Sequence, residues 1–248
     1  MIDIHAHILP GVDDGAADYS TAILMAQCAQ DCGVTDMIAT PHSNQRSRYE
    51  NYVSEDLEDR LTILRKALER ANVHVNLHRG MEVFGTPDLP RLLHEGKVCT
   101  LAGSRYLLVE FAFREDPFFM EELLRRLAAE GVVPIVAHPE RYRAMQEMPE
   151  ILFDWATFGI RMQVNKGSFS GTFGSEARRT AHRMLSNDLI SLIASDAHGA
   201  DRRTPERSGV QEMITMDYSE DLAFKLLQEN PSRVLGDRPL IPCEPHRV

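Results

Sequence analysis

Short runs of β-branched and aliphatic residues alternate with longer amphipathic stretches along nearly the whole chain. The candidate strands are Ile2–Ile4, Met37–Thr40, Val73–His78, Tyr106–Phe111, Val133–His138, Arg161–Asn165 and Ile190–Ser195. Between them, Leu57, Leu61, Leu64 and Leu68 recur at helical spacing behind Ser54, a residue suited to cap a helix N-terminus, and predict a helix from Ser54 to Asn72. Leu123, Leu124, Leu127 and Ala128 predict another, closed by Gly131, and 180–187 and 221–228 read the same way. Strand–helix alternation implies parallel pairing through right-handed crossovers. With 248 residues and 43% hydrophobic content, a single domain over 1–248 is expected, folded as a closed or nearly closed α/β barrel of the TIM type. An open doubly wound sheet is the other arrangement of the same elements.

Histidine and carboxylate residues collect where these strands end. His5 and His7 follow Ile2–Ile4, and His42 follows Met37–Thr40. Glu82 comes shortly after Val73–His78, Glu110 lies near the end of Tyr106–Phe111, and His138 closes its own strand. Asp196 and His198 follow Ile190–Ser195. Barrels present their catalytic groups at the C-terminal ends of strands, so residues scattered in sequence would converge on one face. Alternate residues of an extended segment point the same way, which gives His-x-His added weight. A lone histidine is ordinarily a surface or core residue, and His74, His78, His94, His182 and His246 read that way. The repeated placement at strand ends points instead to a metal site. Oxygen and imidazole donors without thiolate suit zinc, manganese or iron. So many ligands exceed one ion, and a carboxylate shared by ions roughly 3.5–4 Å apart is the expected arrangement.

Charge and composition exclude other classes. The formal net charge is -10 with no long run of Lys or Arg, which disfavours nucleic-acid binding. An acidic total is compatible with an anionic substrate, because bound cations invert the local field. The N-terminal MIDIHAHILPG lacks the basic-then-apolar pattern of a signal peptide, and no stretch approaches the ~18 apolar residues of a membrane span. A soluble cytoplasmic protein without membrane insertion is expected, with its oligomeric state left open. Cys28, Cys32, Cys99 and Cys243 form no Cys-x-x-Cys pair, so no zinc knuckle or redox pair is indicated.

HAH near the N-terminus, PH at His42, Glu82, AHPER and SDAH together resemble the polymerase and histidinol phosphatase (PHP) superfamily. The longer stretches MIDIHAHILPGVDDGA, RGMEV, SRYLLVEF, VVPIVAHPERY, QVNKGSF and LIASDAH resemble its bacterial protein-tyrosine phosphatases of capsule and exopolysaccharide operons, the CpsB/CapC/YwqE group. The resemblance implies a distorted seven-stranded barrel holding three divalent metal ions, manganese first, with zinc or iron as alternatives. It implies that His5, His7 and Asp196 bind the first ion and that Glu82 bridges it to the second. Glu110 and His138 would complete the second; Asp14, His42 and His198 would hold the third. The residues alone do not separate Asp13 from Asp14; the family's VDDG pattern selects Asp14. Arg141 in HPER and Arg203 in DRRTP match the family's phosphate-contacting arginines, with Arg202 the neighbour of the latter. Metal ions and guanidiniums together would leave the site net positive, which favours a phosphate dianion.

The implied activity is hydrolysis of phosphotyrosine by metal-activated hydroxide attacking in line. The implied partner is the tyrosine-rich tail of a polysaccharide-assembly kinase. His42 or His198 would protonate the leaving phenolate, unless the metals stabilise it alone. The alternatives are a PHP phosphoesterase acting on a small phosphomonoester, such as histidinol phosphate or a nucleotide, and a non-catalytic metal-binding module. The segment SNQRSRYENY after His42 departs from the family pattern and is expected to loop over the site.

One motif argues for different chemistry. Cys99 to Arg105 satisfies Cys-x5-Arg, the spacing of cysteine-dependent tyrosine phosphatases. That loop must follow a strand and open a helix, so that backbone N–H groups cradle the phosphate. Here it precedes the strand Tyr106–Phe111, and a turn is the expected structure.

Overall fold

The computed structural model describes residues 1–247. Its first half comprises β1 (Ile2–Ala6), α1 (Tyr19–Asp31), β2 (Asp36–Ala39), β3 (His42–Ser43), α2 (Glu55–Arg70), β4 (Asn76–Arg79), β5 (Glu82–Phe84), α3 (Leu89–His94), β6 (Tyr106–Glu110) and α4 (Pro117–Ala129). The second half comprises β7 (Val133–Ala137), α5 (Arg143–Glu147), α6 (Glu150–Phe158), β8 (Arg161–Asn165), α7 (Lys166–Phe169), α8 (Ser175–Ser186), β9 (Leu192–Ala194), α9 (Ser208–Asp217), α10 (Glu220–Phe224) and α11 (Asn230–Leu235). A π-helical turn over Lys225–Glu229 joins the last two helices.

These strands form two parallel sheets, β1-β2-β4 and β3-β5-β6-β7-β8-β9. The division arises just past the second and third predicted strands, where the chain breaks its pairing before it continues as β3 and β5. Pro41, which has no backbone N–H, separates β2 from β3. Gly80 separates β4 from β5, and a Cβ there would lie 2.6 Å from Ile38 Cγ2, so the close crossing needs glycine. The exit of the last strand meets the first: Ala6 bridges Ala197 in parallel, and the Asp196 N–H donates to the His5 carbonyl at 2.9 Å.

The helices form where their sequence says they should. Ser54 Oγ accepts from the Leu57 N–H at 3.4 Å, and Leu57, Leu61, Leu64 and Leu68 form the buried face of α2. Burying each leucine contributes roughly 1.5–3 kcal/mol. Asp116 caps α4, Pro117 occupies its first turn, and Gly131 follows its end with φ +88°. The predicted helix at 180–187 begins earlier, at Ser175.

Apolar side chains sort into two cores. An outer core joins one face of the strands to the helices and includes Met37, Leu107, Val109, Val136, Met162 and Ile193. An inner core is built almost wholly from the opposite strand face: Ile4, Ile38, Leu108, Ile135, Ala137 and Ala194. Strands buried on both faces read as continuous apolar runs, which is how they appear in the sequence.

Candidate metal centre

The register of β1 against β2 slips between Asp3 and Ala6. Ile2 and Ile4 accordingly face the inner core, while Ala6 and Ile8 face the outer one. Such an irregularity re-aims side chains at a strand end. Here it leaves the Nε2 atoms of His5 and His7 3.3 Å apart. The following loop folds back so closely that a Cβ on Gly15 would sit 2.1 Å from the His7 carbonyl oxygen. Only glycine fits there, and the return carries Asp13 and Asp14 to the site. His138 and Asp196, one or two residues past β7 and β9, have φ of +36° and +50°. Left-handed backbone at a non-glycine residue costs roughly 1–3 kcal/mol and tends to cluster where function requires it.

Glu82 is the hub. Its Oε2 lies 3.3 Å from His5 Nε2, 3.2 Å from His7 Nε2 and 3.0 Å from His42 Nδ1. Its Oε1 lies 3.0 Å from His138 Nε2. Three imidazole nitrogens thus converge on a fully buried oxygen that makes no aligned hydrogen bond. Ligand atoms each about 2.1 Å from one shared ion sit roughly 3.0–3.4 Å from one another, so these spacings suit a metal polyhedron. Ligand-type atoms group as His5, His7 and Asp196; as His42, Glu82 and Glu110; and as His7, His42 and His198. Glu110 Oε2 is 3.1 Å from His42 Nδ1. Asp14 Oδ1 lies 3.3 Å from His42 Nε2 and 3.7 Å from His198 Nε2, on the open side of the cluster.

The outward nitrogens of three histidines are engaged elsewhere. His5 Nδ1 meets Gln163 Oε1 at 2.7 Å, His7 Nδ1 meets Asp13 Oδ2 at 2.8 Å, and His198 Nδ1 meets the Asp196 carbonyl at 2.9 Å. With an ion in the centre, a proton on each Nδ1 would leave each Nε2 lone pair facing it, the orientation metal-binding histidines need. The donor set, the orphaned Glu82 oxygen and the fixed tautomers therefore fit divalent cations.

Asp196 divides its two oxygens. Oδ1 faces His5, His7 and His198 at 3.4–3.5 Å. Oδ2 accepts from Arg141 Nη1 at 3.4 Å, from Arg203 Nη2 and from Asn165 Nδ2. Both predicted arginines thus reach the edge of the cluster, while Arg202 does not share this carboxylate. Burial opposes charge on Glu82 and Asp196, but His5 and the other neighbouring cations override it and hold both carboxyls well below their ordinary range. Burial, reinforced by the charge of His7, pushes His198 down to about 3.

Every residue proposed from the sequence lies in this cluster or on its edge. The group His5, His7 and Asp196 coincides with the set expected for the first ion, while His7 also groups with His42 and His198, and His42 stands between Glu110 and Asp14. The geometry separates the aspartate pair: Asp13 is held by His7 and the Gly15 and His42 N–H groups, and Asp14 faces the opening. The sequence reading missed Asp13 as an orienting group, along with Gln163 and Asn165. The latter two alternate with Met162 and Val164 in β8, and polar residues at alternate positions of a buried strand were the available signal. Gln45 was also missed; its Nε2 donates to Glu110 Oε2 at 2.8 Å from the loop after His42. Tyr49 of that loop stacks on His42 at 5.4 Å, so the segment does lie over the site.

Parallel strands that deliver histidines and carboxylates to one end, with two arginines beside them, define a metallohydrolase-type centre. The family profile described as "Capsular polysaccharide synthesis, CpsB/CapC" matches residues 1–236, and the chain belongs to that family. It is 31% identical over 248 residues to the tyrosine-protein phosphatase YwqE of Bacillus subtilis (strain 168), spanning 100% of this chain and 96% of that protein. It is 36% identical over 203 residues to the putative tyrosine-protein phosphatase CapC of Staphylococcus aureus, spanning 82% and 79% respectively. A crystal structure from work on YwqE and on CpsB of Streptococcus pneumoniae, described as unique metal-dependent tyrosine phosphatases, matches with a TM-score of 0.94 at 31% identity and covers 100% of this chain and 99% of that one. A β-aspartyl dipeptidase from Fervidobacterium islandicum, at 14% identity, TM-score 0.56 and 94% and 72% coverage, shares the fold alone.

Proposed function

We propose that this protein is a metal-dependent tyrosine-protein phosphatase, a phosphoric monoester hydrolase working in capsule or exopolysaccharide synthesis. The convergence of three imidazole nitrogens on Glu82 Oε2 carries this reading, together with family membership. The proposed ligands are His5, His7, Asp14, His42, Glu82, Glu110, His138, Asp196 and His198, holding three divalent ions, manganese first. When bound, such ions would polarise the phosphoryl group and lower the pKa of water.

The chain's own residues do the rest. Arg141 and Arg203 take two oxygens of the phosphoryl group with their free N–H edges while Asp196 Oδ2 fixes their planes. Gln163 and Asp13 keep His5 and His7 in one tautomer. His42 and His198 flank Asp14 at the opening, the side from which a leaving phenolate would depart. The proposed substrate is a phosphotyrosine protein, with the tyrosine-rich tail of a polysaccharide-assembly kinase as its source. The two sheets read as one distorted seven-stave barrel, since β2 with β3 and β4 with β5 each follow one path and Ala6 bridges Ala197. A single domain and a cytoplasmic site of action complete the proposal. Among the described residues no helix is long and apolar enough to cross a membrane.

Phosphotyrosyl peptide and histidinol phosphate assayed side by side with Mn²⁺ test the assignment. Preference for the peptide supports it; turnover of histidinol phosphate alone would move the protein to the small-phosphomonoester class.

A further inference from the structure

Glu140 is fully buried, yet it belongs to none of the metal-ligand groups. It sits in the short turn Pro139–Arg141, between His138 and the arginine proposed to grip phosphate. Its Oε1 accepts from the Asn165 N–H at 3.0 Å and from the Ser168 hydroxyl at 2.6 Å, while Oε2 has no hydrogen-bond partner. Burying a carboxyl oxygen without a partner is costly, so an apolar side chain would be the default at this depth. The two bonds at Oε1 supply the reason for the exception, because both donors belong to the exit of β8. Asn165 ends that strand, and its Nδ2 donates to Asp196 Oδ2 while its Oδ1 accepts from Gln163. Ser168 lies in α7, and the bond from the Thr172 N–H to the Gly167 carbonyl, at 2.9 Å, turns the chain from there into Phe173. The Phe173 ring centroid lies 4.2 Å from the Arg141 guanidinium carbon, and Phe113 covers the same group from another side at 4.6 Å. Aromatic rings against a guanidinium leave only its N–H edge free for an anion.

We infer that Glu140 is a positioning residue for Arg141, setting the plane in which the guanidinium meets the phosphoryl group. The inference rests on the phosphatase reading and adds a residue to it. A single oxygen joins the turn that carries Arg141 to the segment that supplies two of its supports. One support is the Phe173 ring on its face; the other is Asn165, which shares Asp196 Oδ2 with it. Without that oxygen the turn and the segment are free to part, and a displacement of about 1 Å in a positioning group is enough to cost up to ~10²-fold. The effect falls on anion affinity and not on the metals, since Glu140 touches no ligand side chain: its bonds go to a backbone N–H and a serine hydroxyl. Glutamine keeps the acceptor oxygen at Oε1. Alanine removes it and leaves both donors without a partner.

The test titrates orthophosphate calorimetrically into the metal-loaded full chain, with metal content measured by atomic emission, for wild type, Glu140→Ala, Glu140→Gln and Ser168→Ala. Glu140→Ala should weaken orthophosphate binding about tenfold with metal content unchanged, the scale of one charge-assisted hydrogen bond. Glu140→Gln should bind within about threefold of wild type, because the acceptor is kept. Ser168→Ala removes one of the two bonds and should weaken binding by about two- to fivefold. It keeps the test decisive if Glu140→Ala folds poorly. Unchanged affinity in Glu140→Ala, or in Ser168→Ala where the former does not fold, overturns the inference. So does metal lost in step with affinity, or a glutamine variant no better than the alanine one. A parallel phosphotyrosyl-peptide assay of the wild type separates this failure from that of the underlying reading. Peptide turnover with affinities that do not move removes the role of Glu140 alone, whereas no peptide turnover removes both.

Discussion

The two ends of β6 carry rival phosphatase chemistries. At its C-terminal end, Glu110 stands 3.1 Å from His42 in a buried cluster of imidazoles and carboxylates with two arginines beside it. At its N-terminal end lies the Cys99–Arg105 motif. Burial pushes the Cys99 thiol up to about 11, despite Arg79 nearby, so no thiolate nucleophile exists at neutral pH. Arg105 turns away to Asp237 at 2.9 Å, and the intervening residues make a tight turn closed by the Ser104 N–H on the Leu101 carbonyl. A spacing of Cys-x5-Arg has chemical meaning only where the backbone opens into a helix. The end of the strand at which a motif falls decides between the two readings more firmly than the motif does.

The contrast can be broken most sharply by removing the hub. Glu82→Gln should lower kcat/KM for a phosphotyrosyl peptide by about 10³-fold or more and cut metal content measured by atomic emission, because the shared carboxylate is lost. Arg141→Ala and Arg203→Ala should each cost about 10²–10³-fold in kcat with metal content kept, the scale of losing one charge-stabilising donor. Lysine at either position should restore little, since an ammonium lacks the planar fork. Gln163→Ala and Asp13→Asn act one shell further out and should weaken metal affinity about 10–100-fold in competition with a chelator. Cys99→Ser should leave turnover within about twofold of wild type.

The smallest effect concerns pH. The Cys99 thiol has an ordinary value of 9.0 and stands at about 11 in the folded chain. Below pH 9 both states hold the proton and the folded state keeps its full advantage. Between pH 9 and about 11 the unfolded chain releases the proton first, so stability falls, and the contribution is gone above that window. Relative to Cys99→Val, the wild type should lose about 1–3 kcal/mol across it in urea titrations. Equal slopes would mean that Cys99 is not buried as described.

Much of the site was legible because metal chemistry restricts the residue types and the fold restricts where they stand. His5, His7, His138, Asp196 and His198 each announce themselves at the end of an apolar run. Strand boundaries were less legible. Val73 and Val75 read as strand but lie ahead of β4, buried without a strand partner, because burial and pairing leave the same apolar signature. β3 and β5 are two and three residues long, too short for any period to appear, so Glu82 looked like a loop residue when it opens a strand. Asp13 and Asp14 are chemically identical neighbours, and only the return of the chain at Gly15 assigns one inward to His7 and one to the opening. Gln163 and Asn165 were hidden because amides are common in turns, and their role depends on a partner 158 residues away in one case and 31 in the other.

The most direct test of the metal-centre account is phosphotyrosyl-peptide turnover by wild type and Cys99→Ser, measured before and after chelation and again after adding Mn²⁺. The account predicts that chelation abolishes turnover in both proteins and that Mn²⁺ restores it in both. Turnover that survives chelation in the wild type and disappears in Cys99→Ser would contradict it and return the chemistry to the other end of the strand.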